Sequence, residues 1–252
     1  MKKRNLVLSV MTTCLVSCFL LSGCNGQKQI DSETVKTVKV EEQAHLQDDT
    51  VSPACKITID YSYLAESDAA DSIAQRINRT IQAHVLGKEY IRMNPEVAVD
   101  SFKNTYIDNY RKDVNEFYQE DIKNGTPKDE LPTWYNYEYG LTTHFSEGKE
   151  GILNFIAETF EYTGGAHPNS WNKWMNFEKN TGKLLALKDV FMAGSEKPMS
   201  DMLLEELITE MATRLEDSSI TSLEGLQNAG ILNSTNMYVP DNFLLEKSIF
   251  PV

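Results

Sequence analysis

Ile57, Ile59, Tyr61 and Tyr63 alternate with Thr58, Asp60 and Ser62 across residues 56–63, the two-residue period of a strand with one buried face. Ile73, Ile77, Ile81 and Val85 then recur at every fourth position, which predicts a helix capped by Ser67 or Asp68 and stopped at Gly87. A second helix is expected from Pro95. It carries Phe102, Tyr106, Tyr110, Val114 and Phe117 on one stripe and Lys103, Asp108, Arg111, Lys112 and Glu116 elsewhere, and Asn124-Gly125-Thr126-Pro127 ends it. Residues 134–145, 153–162 and 171–177 are rich in aromatic and β-branched side chains. Ser146-Glu147-Gly148 and Gly164-Gly165-Ala166-His167-Pro168 separate them, so an antiparallel meander is predicted. After a turn at Asn180-Thr181-Gly182, residues 184–191 keep strand-like character, and residues 198–215 return to helical spacing through Met202, Leu203, Leu207, Met211 and Leu215. Strands grouped with strands beside segregated helices predict an α+β protein, an antiparallel sheet with helices on one face, in two small subdomains at 53–130 and 131–252.

The first 52 residues have a different pattern. Lys2, Lys3 and Arg4 precede an apolar run over residues 6–21, and Leu21-Ser22-Gly23-Cys24 closes it as a lipobox, so residues 1–23 read as a lipoprotein signal peptide. The run is too short to span a bilayer, and Cys24 is the expected acylated residue, its acyl chains anchoring the mature chain to a membrane. Residues 24–52 contain no aromatic side chain and are expected to be a flexible tether. Asn25-Gly26-Gln27-Lys28 has no acidic run, which points to a periplasm-facing lipoprotein of the inner or outer membrane. Loss of Lys2, Lys3 and Arg4 with the leader moves the formal charge from −13 to −16, which argues against nucleic-acid binding and suits a basic partner. Cys14 and Cys18 leave with the leader, so Cys55 has no partner for a disulfide inside the domain and is expected in the core.

His167, next to a Gly-Gly turn, is where general-base or metal chemistry would be sought. No Gly-x-Ser-x-Gly, His-Glu-x-x-His or Cys-x-x-Cys pattern accompanies it, and a metal reading would need His144, His167 and Glu158 or Glu161 to converge. Neither catalytic nor metal-ligating residues are therefore assigned, and no cofactor is expected. The alternative gives Gly164 and Gly165 the freedom of a sharp turn that His167 closes by bonding the loop backbone, and makes Asp189 the anchor of a following turn. Trp134, Trp171, Trp174, Tyr135, Tyr137, Tyr139 and Tyr162 exceed what one buried sheet face requires, so a second face is a candidate recognition surface. Gly164, Gly165, His167, Trp171 and Trp174 are the candidate binding residues.

Thr163-Gly164-Gly165-Ala166-His167-Pro168, with Asn176-Phe177 and then Thr181-Gly182-Lys183, Leu185, Leu187, Asp189 and Phe191, resembles the C-terminal domain of unknown function of RsiV-type anti-sigma factors. The preceding strand and helices resemble the small domain of PdaC-type peptidoglycan deacetylases. The resemblance runs from about Pro53 to the end and implies an exported envelope protein. It further implies a binding module for a protein such as lysozyme, without the separate catalytic domain of the deacetylases and without the cytoplasmic sigma-binding region. It also implies a Tyr-rich strand and a helix beyond Val252, so the 131–252 unit reads as C-terminally truncated. The expected function is non-catalytic binding of a protein ligand, with peptidoglycan binding or a role in cell-wall modification as the alternative.

Overall fold

In the computed structural model, which describes residues 35–47, 49–66, 72–232 and 242–246, five strands form one sheet. They are β1 (Val35–His45), β2 (Ala54–Leu64), β3 (Tyr137–Glu147), β4 (Ile152–Tyr162) and β5 (Asn169–Glu178), side by side in that order. Every neighbouring pair is antiparallel except β2 and β3, which run parallel with Cys55 opposite Tyr137 and Ile59 opposite Leu141. A parallel pair needs a long crossover, and here helices α1 (Ile73–Val85) and α2 (Pro95–Lys123) supply it. The expected meander is thus β3-β4-β5, and the architecture is the predicted α+β one.

Alternation assigns the faces. Cys55, Ile57, Ile59 and Tyr61 of β2, Tyr139 and Leu141 of β3, Leu153, Phe155 and Ala157 of β4 and Met175 and Phe177 of β5 are all buried on the side that α2 covers. Each large aliphatic chain taken from water there contributes about 1.5–3 kcal/mol. Helix α2 places Ile107, Tyr110, Val114 and Tyr118 against this face, with Tyr110 and Tyr137 rings 5.1 Å apart. Asn94 caps its first turn by accepting from Glu96 N–H, and Pro95 takes the first helical position. Phe117, predicted in the core stripe, is instead 51% exposed. From Val114 the next residue on the same face lies four positions on, at Tyr118, and Phe117 is rotated about 100° away.

Helix α1 buries Ile77 and Ile81 and starts at Ser72, whose side chain accepts from Gln75 N–H; the expected caps Ser67 and Asp68 lie outside the described residues. Its Asn78 is fully buried and clasps the end of β2. Leu64 N–H donates to Asn78 Oδ1 at 2.9 Å, and Asn78 Nδ2 donates to Leu64 O at 2.8 Å. Gly87, at φ +136°, follows the helix as predicted.

Three expectations are corrected. Residues 24–52 were expected to be a tether, yet Val35–His45 is a full strand paired residue by residue with β2. Backbone pairing with β2 and half-buried Val38 and Val40 supply what its polar composition hides, and Ala44 and Leu46 are buried outright. The boundary placed near residue 130 falls between α2 and β3, inside a single sheet. Ser62, whose N–H donates to Thr143 Oγ1 at 2.7 Å and whose hydroxyl donates to Thr143 O at 3.0 Å, joins the two sides. The chain divides instead after Lys183 and returns to the first unit at Leu245. There, Leu245 N–H donates to Asn176 Oδ1, Asn154 Nδ2 donates to Leu245 O, and Glu246 bridges to Gly148. Finally, residues 184–191 hold no strand.

The second unit, residues 184–244, comprises α3 (Leu187–Val190), α4 (Glu196–Arg214) and α5 (Leu223–Asn228). Asp189 anchors the first of these by accepting from Ala186 N–H at 3.0 Å, as the sequence suggests. A one-turn helix there satisfies locally the backbone groups that a strand would have needed a neighbour to satisfy. Among the described residues of this unit only Ile220 and Leu226 are buried apolar side chains, while Met192, Met202 and Leu203 are exposed. No described helix is long and apolar enough to cross a membrane. Cys24 and the leader lie outside the described residues.

Candidate functional site

The β4–β5 connection, residues 163–168, is held by one close approach. Gly164 sits at φ +83°, and a side chain built on it would collide with the carbonyl oxygen of Trp134. Only glycine combines that backbone conformation with that proximity. Trp134 in turn stacks edge-on against Phe117 of α2, with centroids 5.6 Å apart, and against Tyr135 at 4.2 Å. Tyr135 is buried and donates its hydroxyl to Asp121 Oδ2 at 2.7 Å; burial, reinforced by that carboxylate, pushes the phenol up to about 12. The loop, the short turn Thr133–Tyr135 before β3 and the C-terminal half of α2 therefore form one aromatic corner. His167 is exposed on this loop, and among the described residues it makes no bond that would close the turn; the Gly164–Trp134 approach does that instead.

Next to the corner on the covered face, Tyr106 of α2 donates to Glu161 Oε1 of β4 at 2.9 Å, and its ring lies 4.9 Å from Tyr139. Burial first, then the Glu161 carboxylate, hold the Tyr106 hydroxyl protonated well above the usual phenol range. Trp171, opposite Thr159 in register, shares this face but stands on the outermost strand and is 46% exposed. Trp174 is three residues on and so faces the other side, opposite Ile156. The two tryptophans proposed together are thus on opposite faces of β5.

The histidines and carboxylates do not converge either. His144 and Glu158 belong to the face away from α2, Glu161 to the covered face where Tyr106 holds it, and His167 to the loop. Among the described residues no group of three His, Cys, Asp or Glu side chains could hold a metal ion. Cys55 is fully buried, and burial followed by the charge of Glu42 pushes its thiol up to about 12, which suppresses thiolate chemistry. What the corner offers is contact area: rings with exposed edges on a rigid frame. Sequence reading missed Phe117 as a surface residue and Trp134 as the loop's clamp. The signal for the first was the four-residue step from Val114; the second is a contact between distant residues with no local signature.

The comparisons with known proteins bear on this domain. Residues 50–170 match the family model described as deacetylase PdaC. That PdaC-like segment carries β2, both crossover helices, β3, β4 and the first residues of β5. The chain is similar to a solved DUF3298-family member from Bacteroides fragilis NCTC 9343. The identity is 27% and the TM-score 0.68, over 83% of this chain and 78% of that one. A DUF3298-family protein from Pseudomonas aeruginosa PAO1 aligns at 14% identity with a TM-score of 0.47, over 75% of this chain and 72% of that one. No curated protein matches the chain. The first unit is thus similar over residues 50–170 to the PdaC model, and the chain is similar in fold to a DUF3298-family protein.

Proposed function

We propose that this chain is a bacterial envelope lipoprotein, held to a membrane through acylated Cys24, whose PdaC/DUF3298-like domain is a non-catalytic module for a basic protein ligand. The exposure of Trp171 and Phe117 is the observation that carries the binding role. Large rings cost little conformational entropy to dock and dominate the energetics of protein interfaces, and both of these are mounted on packed secondary structure. A formal charge that goes from −13 to −16 when residues 1–23 are removed favours a cationic partner and would speed its encounter. The RsiV-like motif from Thr163 to Pro168 lies in the same corner and supports a lysozyme-like ligand. Egg-white lysozyme is the probe: immobilised full-length chain should retain it, binding should weaken as salt is raised, and Trp171→Ala should weaken it about tenfold or more. Absence of salt-sensitive binding to lysozyme and to other basic proteins would remove this reading. Incorporation of labelled fatty acid, lost in Cys24→Ala, tests the anchor.

The match to a model named for a deacetylase favours a second reading, cell-wall association. Under it the chain would co-sediment with purified peptidoglycan whatever basic protein is present.

A further inference from the structure

β1 is an edge strand that carries charged side chains but neither a proline nor a bulge to block further pairing. It runs for 11 residues from Val35 to His45, contains no proline, and pairs with β2 without a bulge from Val35 opposite Leu64 to His45 opposite Ala54. The sheet order leaves its other side without a neighbouring strand among the described residues. Lys36, Thr37, Lys39, Glu41 and Gln43 are exposed along it, and Lys39 keeps 73% of its side chain accessible while reaching Asp60 at 2.6 Å.

The charges along this strand are arranged symmetrically about Val40. On one face the order is Thr37, Lys39, Glu41, Gln43. If a second β1 lies antiparallel against the first with Val40 opposite Val40, Lys39 of each copy faces Glu41 of the other, and Thr37 faces Gln43. Both charged pairs are of opposite sign. Slipping the register by the smallest step that keeps the faces matched puts Lys39 on Lys39 in one direction and Glu41 on Glu41 in the other. Opposite charges directly across a strand pair stabilise it and like charges destabilise it, so one register is selected and its neighbours are penalised.

We propose that the outer edge of β1 is a homotypic interface, at which two copies of this chain pair antiparallel about Val40 into a continuous ten-stranded sheet. The interface is isologous, each copy offering the same strand, and it closes at two subunits because pairing consumes the free β1 edge of both. The backbone ladder supplies affinity and the Lys39–Glu41 pairs supply register.

The test uses the full-length chain in detergent, examined by sedimentation velocity across a concentration series. The parent chain should dimerise. Lys39→Glu alone and Glu41→Lys alone each convert both pairs to like charges and should weaken the dimer by roughly tenfold or more, without changing the circular dichroism. Mixing the two variants should restore association, since all the charges of one are then opposite those of the other. Oxidation of Val40→Cys should trap a covalent dimer that the parent does not form. A parent chain that is monomeric throughout, single variants that associate like the parent, or a mixture that fails to recover association would each overturn the proposal.

Discussion

Gly164 of the β4–β5 loop lies against the backbone carbonyl of Trp134, in the turn just before β3, and does so at φ +83°. Gly164→Ala adds a strained backbone conformation to a collision with a carbonyl oxygen that has little room to move. The expected loss is on the order of 1–3 kcal/mol, read as a lower urea midpoint. Gly165→Ala is the control: its nearest neighbour would be His167 O at 3.7 Å, so its midpoint should stay close to that of the parent.

Exposed and buried rings should separate function from fold. Phe177 is fully buried, and Phe177→Ala should cost about 3–5 kcal/mol and lower the melting temperature steeply. Trp171→Ala, at a half-open site, should leave stability within about 1 kcal/mol of the parent while abolishing most of the proposed binding. Equal losses of stability in the two variants would place Trp171 in the packing.

Asn78 should be irreplaceable where it clasps Leu64. Asn78→Ala leaves the N–H and C=O of Leu64 buried with their partner gone, at a cost of about 2–3 kcal/mol in chemical denaturation. Asn78→Asp retains an acceptor for Leu64 N–H but cannot donate to Leu64 O, so it should not rescue.

The buried acidic groups on the covered face set an alkaline limit. Burial raises the Cys55 thiol from 9.0 to about 12 and holds the Tyr61, Tyr106, Tyr110 and Tyr139 phenols above their usual range. Each folded-state pKa exceeds its unfolded value, so the stabilisation is complete below about pH 9 and is lost as pH rises through the folded-state values. Urea midpoints should therefore decline above that pH. Absorbance at 295 nm should show a late group of tyrosines ionising together with unfolding; smooth titration of all eleven near the ordinary phenol value would refute this.

Elements whose cause is local were legible. The alternation in β2, the meander turns and the N-terminus of α2 at Pro95 each rest on residues a few positions apart. β1 was not legible, because Lys36, Lys39, Glu41 and Glu42 make it look solvated and its order comes from pairing with β2. Residues 184–191 misled for the converse reason: their apolar side chains look strand-like, but Leu187–Val190 forms the one-turn helix α3 instead. In the site, Gly164-Gly165 announced a turn, but not that Trp134 lies beneath it. The separation of Trp171 from Trp174 was readable in principle, since an odd interval in a strand always divides faces.

The parallel seam between β2 and β3 has a kinetic consequence. Ser62 and Thr143 are 81 residues apart in the chain, so loop closure must precede much of the reward from packing, and folding should be slow for a domain of this size. During synthesis β1, β2 and both crossover helices leave the ribosome before the strand that completes the sheet. Newly made chains would therefore remain unfolded for longer, with the edge of β2 that β3 later covers unpaired and open to wrong partners until then.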